Sequence, residues 1–287
     1  MQITMREKLD FDLTGNIPRY WFGGDPFKTR FFDAHSLLTP AGERFFITSL
    51  RAYYDEIGDQ KLKEDVRRFI FQEGQHSLQH GQSNHRLQLQ GFDVANIEAQ
   101  TRQTIERRRH RLSRSFAVAV TAASEHLTTI VADAVMEHSE HFADADPRIL
   151  ALYAWHCAEE LEHKSVCFDV MQQIAKVGYL KRIFALIVST LVFQTDMVRV
   201  VNFLLRQDGF SLRERAGLYW RGLIWMYGRK GFLRLQLKHY LSYFRPSFHP
   251  SRFGSMRGYE QWMEEFNRTN DPILASKALQ KNERASA

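Results

Sequence analysis

Six residues fall into the pattern needed to hold two metal ions between carboxylates: Glu43, the pair Glu73 and His76, Glu125, and the pair Glu160 and His163. Carboxylates bridge hard cations and offset their charge, and neutral imidazoles complete the coordination. This mixed set suits iron or manganese better than zinc or copper. Four carboxylates on inward faces would be costly without cations, so the residue types themselves argue for bound ions. At ~100° and ~1.5 Å per residue, positions i and i+3 share a helix face, so each Glu-x-x-His pair can approach one ion. His156, four residues before Glu160, returns to that face one turn earlier and is a seventh candidate.

The intervals between these residues define the elements that must carry them. Glu43 and Glu73 are equally far from Gly58, within the breaker cluster Ile57-Gly58-Asp59-Gln60, so an antiparallel hairpin turning there brings both to one depth. Glu125 and Glu160 flank a second turn-like stretch, Phe142 to Pro147. Residues 91 to 112 supply one long crossover between the two hairpins. The predicted fold is all-α: a ferritin-like four-helix bundle over about 38–176, with an additional helical layer over about 179–287, in one domain. Apolar periodic segments at about 40–57, 61–90, 113–140, 147–176 and 179–207 fit that reading. Few Pro and Gly interrupt them.

The set of four Glu and three His, with the extra His four residues before the last Glu-x-x-His, resembles that of the di-iron arylamine N-oxygenases, the group typified by p-aminobenzoate N-oxygenase. That local resemblance implies the metal set and O2 activation; it does not imply an arylamine substrate. A wider resemblance rests on Ile17-Pro18-Arg19-Tyr20-Trp21, Pro40-Ala41-Gly42-Glu43-Arg44-Phe45-Phe46, Gln72-Glu73-Gly74-Gln75-His76 and Arg245-Pro246-Ser247-Phe248-His249-Pro250. These stretches are similar to a bacterial family called predicted metal-dependent hydrolases.

At 287 residues and 44% hydrophobic, the chain can bury a large core. Its two cysteines, Cys157 and Cys167, are expected on one straight helix about 15 Å apart, beyond disulfide reach, as reduced core residues. No apolar run opens the chain, so no signal peptide is expected and the reading is cytoplasmic, with peripheral contact at the inner membrane face as an option. The net charge of +6 is uneven. Arg107 to Arg111 with Arg114, and Arg213 to Lys238 with interleaved aromatics, read as solvated faces or as surfaces for an acidic electron donor or anionic lipid. No nucleic-acid-binding fold accompanies them. The segment Tyr179 to Phe232 reads as a fifth core helix plus cap, a peripheral membrane surface, or the wall of an apolar tunnel. In the first case Ile183, Leu186, Ile187, Leu191 and Val198 are buried.

Other residues near the pattern have several readings. His80, one turn after His76, is a ligand, an outer-sphere partner or a packed histidine. Thr129, one turn after Glu125, either reaches the metal site or bonds its own helix backbone, as Thr in helices does. Glu159 and Glu162 are rotated away from Glu160 and should face solvent or another helix. His138 and His141 lie where cations cap a helix end.

The reading that joins these observations is a dinuclear oxidoreductase with two Fe ions, Mn being possible and Zn less suitable. It would use O2 as a monooxygenase or oxidase on a small, apolar or aromatic substrate. With no Gly-rich nucleotide motif and no Cys cluster, electrons would come from an external donor or from the substrate. The rivals are a two-metal hydrolase and a ferroxidase or iron-handling protein. The pattern fixes no oligomeric state; a homodimer is compatible with it.

Overall fold

The computed structural model describes residues 2–284, and among them helices account for all regular structure apart from one isolated bridge between Phe22 and Ala145. The first five helices begin where the chain offers a side-chain oxygen to the free N–H groups of a first turn. Asp25 caps α1 (Pro26–Arg51), Asp59 caps α2 (Gln60–Leu89), Asp93 caps α3 (Val94–Arg109), Ser113 caps α4 (Arg114–Glu137) and Asp146 caps α5 (Pro147–His163). Pro26 and Pro147 occupy first-turn positions, where a missing N–H costs nothing.

α1 packs along α2 and α4 along α5, while α1 with α4 and α2 with α5 close the group of four. The 91–112 connection is largely a helix, α3, laid against α1 and α2. The reading of 147–176 as one straight helix fails. α5 ends at His163, and the chain continues through a short helix, α6 (Val166–Asp169), and a π-turn over Val170–Ile174. Cys157 and Cys167 therefore sit on separate elements, both buried and both free.

α1 also departs from expectation, because it starts at Pro26 rather than near residue 40 and runs through Pro40. A proline inside a helix leaves the carbonyl four residues back without its donor, at a cost of ~3 kcal/mol or more. Here the Asn84 side chain, on α2, donates to the Ser36 carbonyl at 3.1 Å and supplies the missing bond.

α7 (Tyr179–Gln207) lies over α1 and α4. Its buried face is Ala185, Leu186, Ser189, Met197, Val200, Val201 and Leu204. Of the five residues expected inside, Leu186 is buried and Ile183 half-buried, whereas Ile187, Leu191 and Val198 are exposed. The small side chains Ala185 and Ser189 let α7 approach α4 closely, with Ser189 Oγ donating to the Val120 carbonyl at 3.3 Å, and this turns the larger apolar residues outward. α8 (Leu212–Tyr227), α9 (Leu237–Ser242), α10 (Arg257–Thr269) and α11 (Pro272–Arg284) complete the chain, the last two covering α4 and α5. The N-terminal segment contributes buried Ile3, Phe11, Ile17, Trp21 and Phe22. Covered on every side, α5 is buried from Ile149 to His163.

Candidate metal centre

The four packed helices bring all seven donors together: Glu43 from α1, Glu73 and His76 from α2, Glu125 from α4, and His156, Glu160 and His163 from α5, every one buried. They form two groups of three whose ligand atoms lie within 4.8 Å of one another, Glu43 with His76 and His156, and Glu73 with Glu125 and His163. A third group, Glu73 with His76 and Glu160, links them. His163 Nε2 is 3.4 Å from an oxygen of each of Glu73, Glu125 and Glu160. Two donors sharing an ion at ~2.1 Å sit roughly 3.0–3.4 Å apart, so these spacings suit a common cation. His76 Nδ1 faces Glu43 Oε1 at 3.6 Å, Glu73 Oε1 at 3.7 Å and Glu160 Oε1 at 4.0 Å.

The atoms turned inward are the ones without hydrogen-bond partners: Glu43 Oε1, both oxygens of Glu73 and of Glu125, His76 Nδ1 and His163 Nε2. Orphaned buried polar atoms are expensive, and this many in one place fit a set of metal donors. The opposite edges of the same side chains are satisfied. His163 Nδ1 donates to Gln72 Oε1 at 2.9 Å, His76 Nε2 to Glu159 Oε2 at 3.1 Å, and Ser77 Oγ donates to Glu43 Oε2 at 2.8 Å. Metal-bound imidazoles characteristically anchor their second nitrogen in this way.

His156 is anchored through a longer chain. One assignment of protons satisfies each link of that chain: His156 Nδ1 donates to His80 Nε2 at 2.8 Å, His80 Nδ1 to Ser36 Oγ at 2.9 Å, and Ser36 Oγ to Asn84 Oδ1 at 2.8 Å. His156 Nε2 is then a bare lone pair, 3.0 Å from Glu160 Oε1 and 3.9 Å from Glu43 Oε1. Its ring stacks on that of His76 at 4.0 Å between centroids.

Electrostatics point the same way. Burial, followed by the neighbouring carboxylates, drives Glu73 well above the usual carboxylate range. Burial drives Glu43 up as well, against the Ser77 hydrogen bond, and takes Glu125 to about 7. Burial also pushes Glu160 upward, but His163 and His156 outweigh it and hold this carboxyl well below its usual value. Burial pulls His163 down, but Glu160 and Glu125 overcome it and bring the imidazole to about 10. Burial keeps His76 near 3 and His156 near 4, so both are neutral and available as ligands. A family model described as predicted metal-dependent hydrolase matches residues 5–254. The chain belongs to this family. No curated protein and no solved structure matches it.

In this member of the metal-dependent hydrolase family the Glu and His groups fit metal ions, and the surroundings decide between several readings that the sequence left open. Thr129 Oγ1 donates to the Glu125 carbonyl at 2.7 Å, within its own helix. The threonine that reaches the centre is its neighbour Thr128, which donates to Glu160 Oε2 at 2.7 Å. Glu159 and Glu162 do not face solvent. The N-terminal segment places Arg6 between them, 2.9 Å from Glu159 Oε1 and 2.5 Å from Glu162 Oε1, and burial still pushes Glu159 up to about 8. His80 lies behind His156 and is hydrogen-bonded to it. His138 follows the end of α4, and it and His141 each approach Glu140 at 3.7 Å.

Sequence reading missed Arg6, Ser36, Gln72, Asn84 and Thr128, none of which stands at a ligand spacing. It also missed His35, whose ring lies 6.1 Å from that of His156 and which burial holds near 3, hence neutral.

Two expectations follow. Thr128→Val should weaken metal binding about 10- to 100-fold, because it frees a carboxylate oxygen that the Thr128 hydroxyl now holds, while Thr129→Val should leave affinity nearly unchanged. Isothermal titration of the chelated proteins with Mn²⁺ compares them directly. Metal entry must also displace the protons that Glu43, Glu73 and His163 hold near neutrality. Lower pH keeps those protons on the donors, so apparent affinity should fall about tenfold or more per unit as pH drops from ~8 to ~6, with protons released to the buffer on binding. A pH-independent affinity would mean that the donors are already deprotonated.

Proposed function

We propose that this protein is an O2-activating dinuclear oxidase or oxygenase built on a ferritin-like bundle, with α1, α2, α4 and α5 as the bundle and the C-terminal helices as its cap in one domain. Glu43, Glu73, His76, Glu125, His156, Glu160 and His163 would hold two ions, with iron the best match to the donors. When bound, such a pair supplies the electrons that activate O2. The observation that carries the reading is a cavity of about 350 Å³ that ends on Glu43, His156 and Glu160. Its walls include Leu38, Phe45, Phe46, Leu127, Val188 and Val192, and its rim holds Arg108, paired with Asp196 at 3.2 Å. A space of this size lined mainly by hydrocarbon takes a small apolar molecule and excludes water around it. Thr128 orients Glu160, and neutral His35 lines the passage beside it. A second, smaller cavity of about 60 Å³, with Phe193 and Met197 among its walls, reaches His156 and Glu160 but not Glu43. An iron-storage role would not require an apolar chamber. Electrons for repeated turnover are assigned to an external donor, since the chain has no nucleotide-binding motif of its own.

The family description favours a second reading, hydrolysis by a metal-activated water. Reconstitution separates the two. Chelated protein loaded anaerobically with Fe²⁺ and then exposed to air should consume O2 and change its optical spectrum, while the Zn²⁺-loaded form should not hydrolyse aryl esters or phosphodiesters above background. Hydrolysis by the zinc form together with inert iron would replace the oxidase by the hydrolase.

A further inference from the structure

The outer side of the C-terminal layer carries apolar groups that the other described residues leave uncovered. Along α7, Leu180, Phe184, Leu191 and Val198 are spaced by four, seven and seven residues, which puts them on one stripe, and Leu180 is 81% exposed. α8 lies beside the second half of α7, with Tyr219 donating to the Val198 carbonyl at 3.1 Å. It adds Trp220, 67% exposed, and Ile224. α9 lies beside the first half, where the Tyr240 and Thr190 hydroxyls meet at 3.2 Å, and adds Leu237 and Leu241.

Charge identifies what this face would meet. Between Tyr179 and Leu241 the sequence has 11 Lys and Arg against 3 Asp and Glu, a net of 11 − 3 = +8. The whole chain is +6, so the remainder is 6 − 8 = −2, and the positive charge is concentrated on this layer. All three acids are engaged internally: Asp196 with Arg108, Asp208 with Arg30, and Glu214 in the capping box of Ser211. Arg213, Arg221, Arg229, Lys230, Arg234 and Lys238 form no ion pair among the described residues.

From this juxtaposition of an exposed apolar stripe and unpaired cations, we propose that the α7–α9 face docks on an anionic lipid bilayer. Apolar side chains would enter the headgroup boundary and the cations would meet lipid phosphates. A second copy of the chain is disfavoured, because two such faces would oppose like charges. α7 is long and apolar enough to cross a membrane, but its other side packs on α1 and α4 and carries Asp196, so it lies along the surface. The proposal does not depend on which reaction the metal centre performs.

Sedimentation of the full-length, metal-loaded protein with vesicles tests it. Phosphatidylcholine vesicles containing phosphatidylglycerol should bind at least about tenfold more protein than phosphatidylcholine alone, and high salt should weaken the binding. Phe184→Glu with Leu191→Glu, and separately Arg221→Glu with Lys238→Glu, should each reduce binding about tenfold at unchanged helicity and metal content. The second pair replaces only exposed cations and keeps the test valid if the first disturbs the fold. Equal binding to both vesicle types, or variants that bind as the parent does, would overturn the proposal. So would a dimer in solution that both variants convert to monomer, which would assign the face to a second copy.

Discussion

Replacement of Glu73 by Gln is expected to lower bound metal to about a tenth of the parent level or less, and to raise the thermal stability of the chelated protein. Glu73 belongs to two of the three donor groups, one with Glu125 and His163 and one with His76 and Glu160, so its loss should affect both ion positions. Gln keeps the shape and removes the negative charge. In the absence of metal that charge, or the proton needed to neutralise it, is a liability beside four other buried carboxylates, Glu43, Glu125, Glu159 and Glu160. Relief of it should stabilise the chelated form by about 1–3 kcal/mol, whereas the loaded parent should far exceed the loaded variant. Differential scanning calorimetry with and without Mn²⁺ reads both signs. A packing role would instead destabilise the variant in both states, and that outcome would remove Glu73 from the donor set.

Arg6→Met should cost about 3–5 kcal/mol, since it leaves Glu159 and Glu162 buried with no cation between them. For a chain of this size the melting temperature should drop on the order of 10 °C. The loss should spread to the metal centre, because Glu159 anchors the far nitrogen of His76. Combining Arg6→Met with Glu159→Gln and Glu162→Gln should recover most of the stability by removing the unpaired charges, and only part of the metal affinity. If Arg6→Met alone melts within about 2 °C of the parent, the buried network is not a source of stability.

The cluster of Glu and His was legible because ligand chemistry calls for such residue types at fixed helical spacings, and because Glu43, Gly58 and Glu73 measure out a hairpin. The features that escaped depend on what covers each helix. Glu159 and Glu162 look solvated when α5 is considered alone, and become buried only because residues near the N-terminus and α10–α11 wrap the outer side of α5. The inner face of α7 was misassigned since hydrophobicity alone selects Ile187 and Leu191, whereas close approach to α4 selects Ala185 and Ser189. Thr128 and Thr129 are adjacent on one helix. Only the packed geometry of α4 against α5 decides which of them meets Glu160.

The bond from Asn84 to the Ser36 carbonyl has a consequence for alignment. Seven residues further along α1 and seven back along α2, Ser77 meets Glu43. The two cross-links are two turns apart and belong to one antiparallel register. If α1 slid by a turn, the carbonyl facing Pro40 would lose its donor and Glu43 would lose the level of His76 in the same movement. Pro40 thus acts as a registration notch: the helix defect can be mended at only one setting of α1 on α2, and that setting is the one in which the donors of both helices are level.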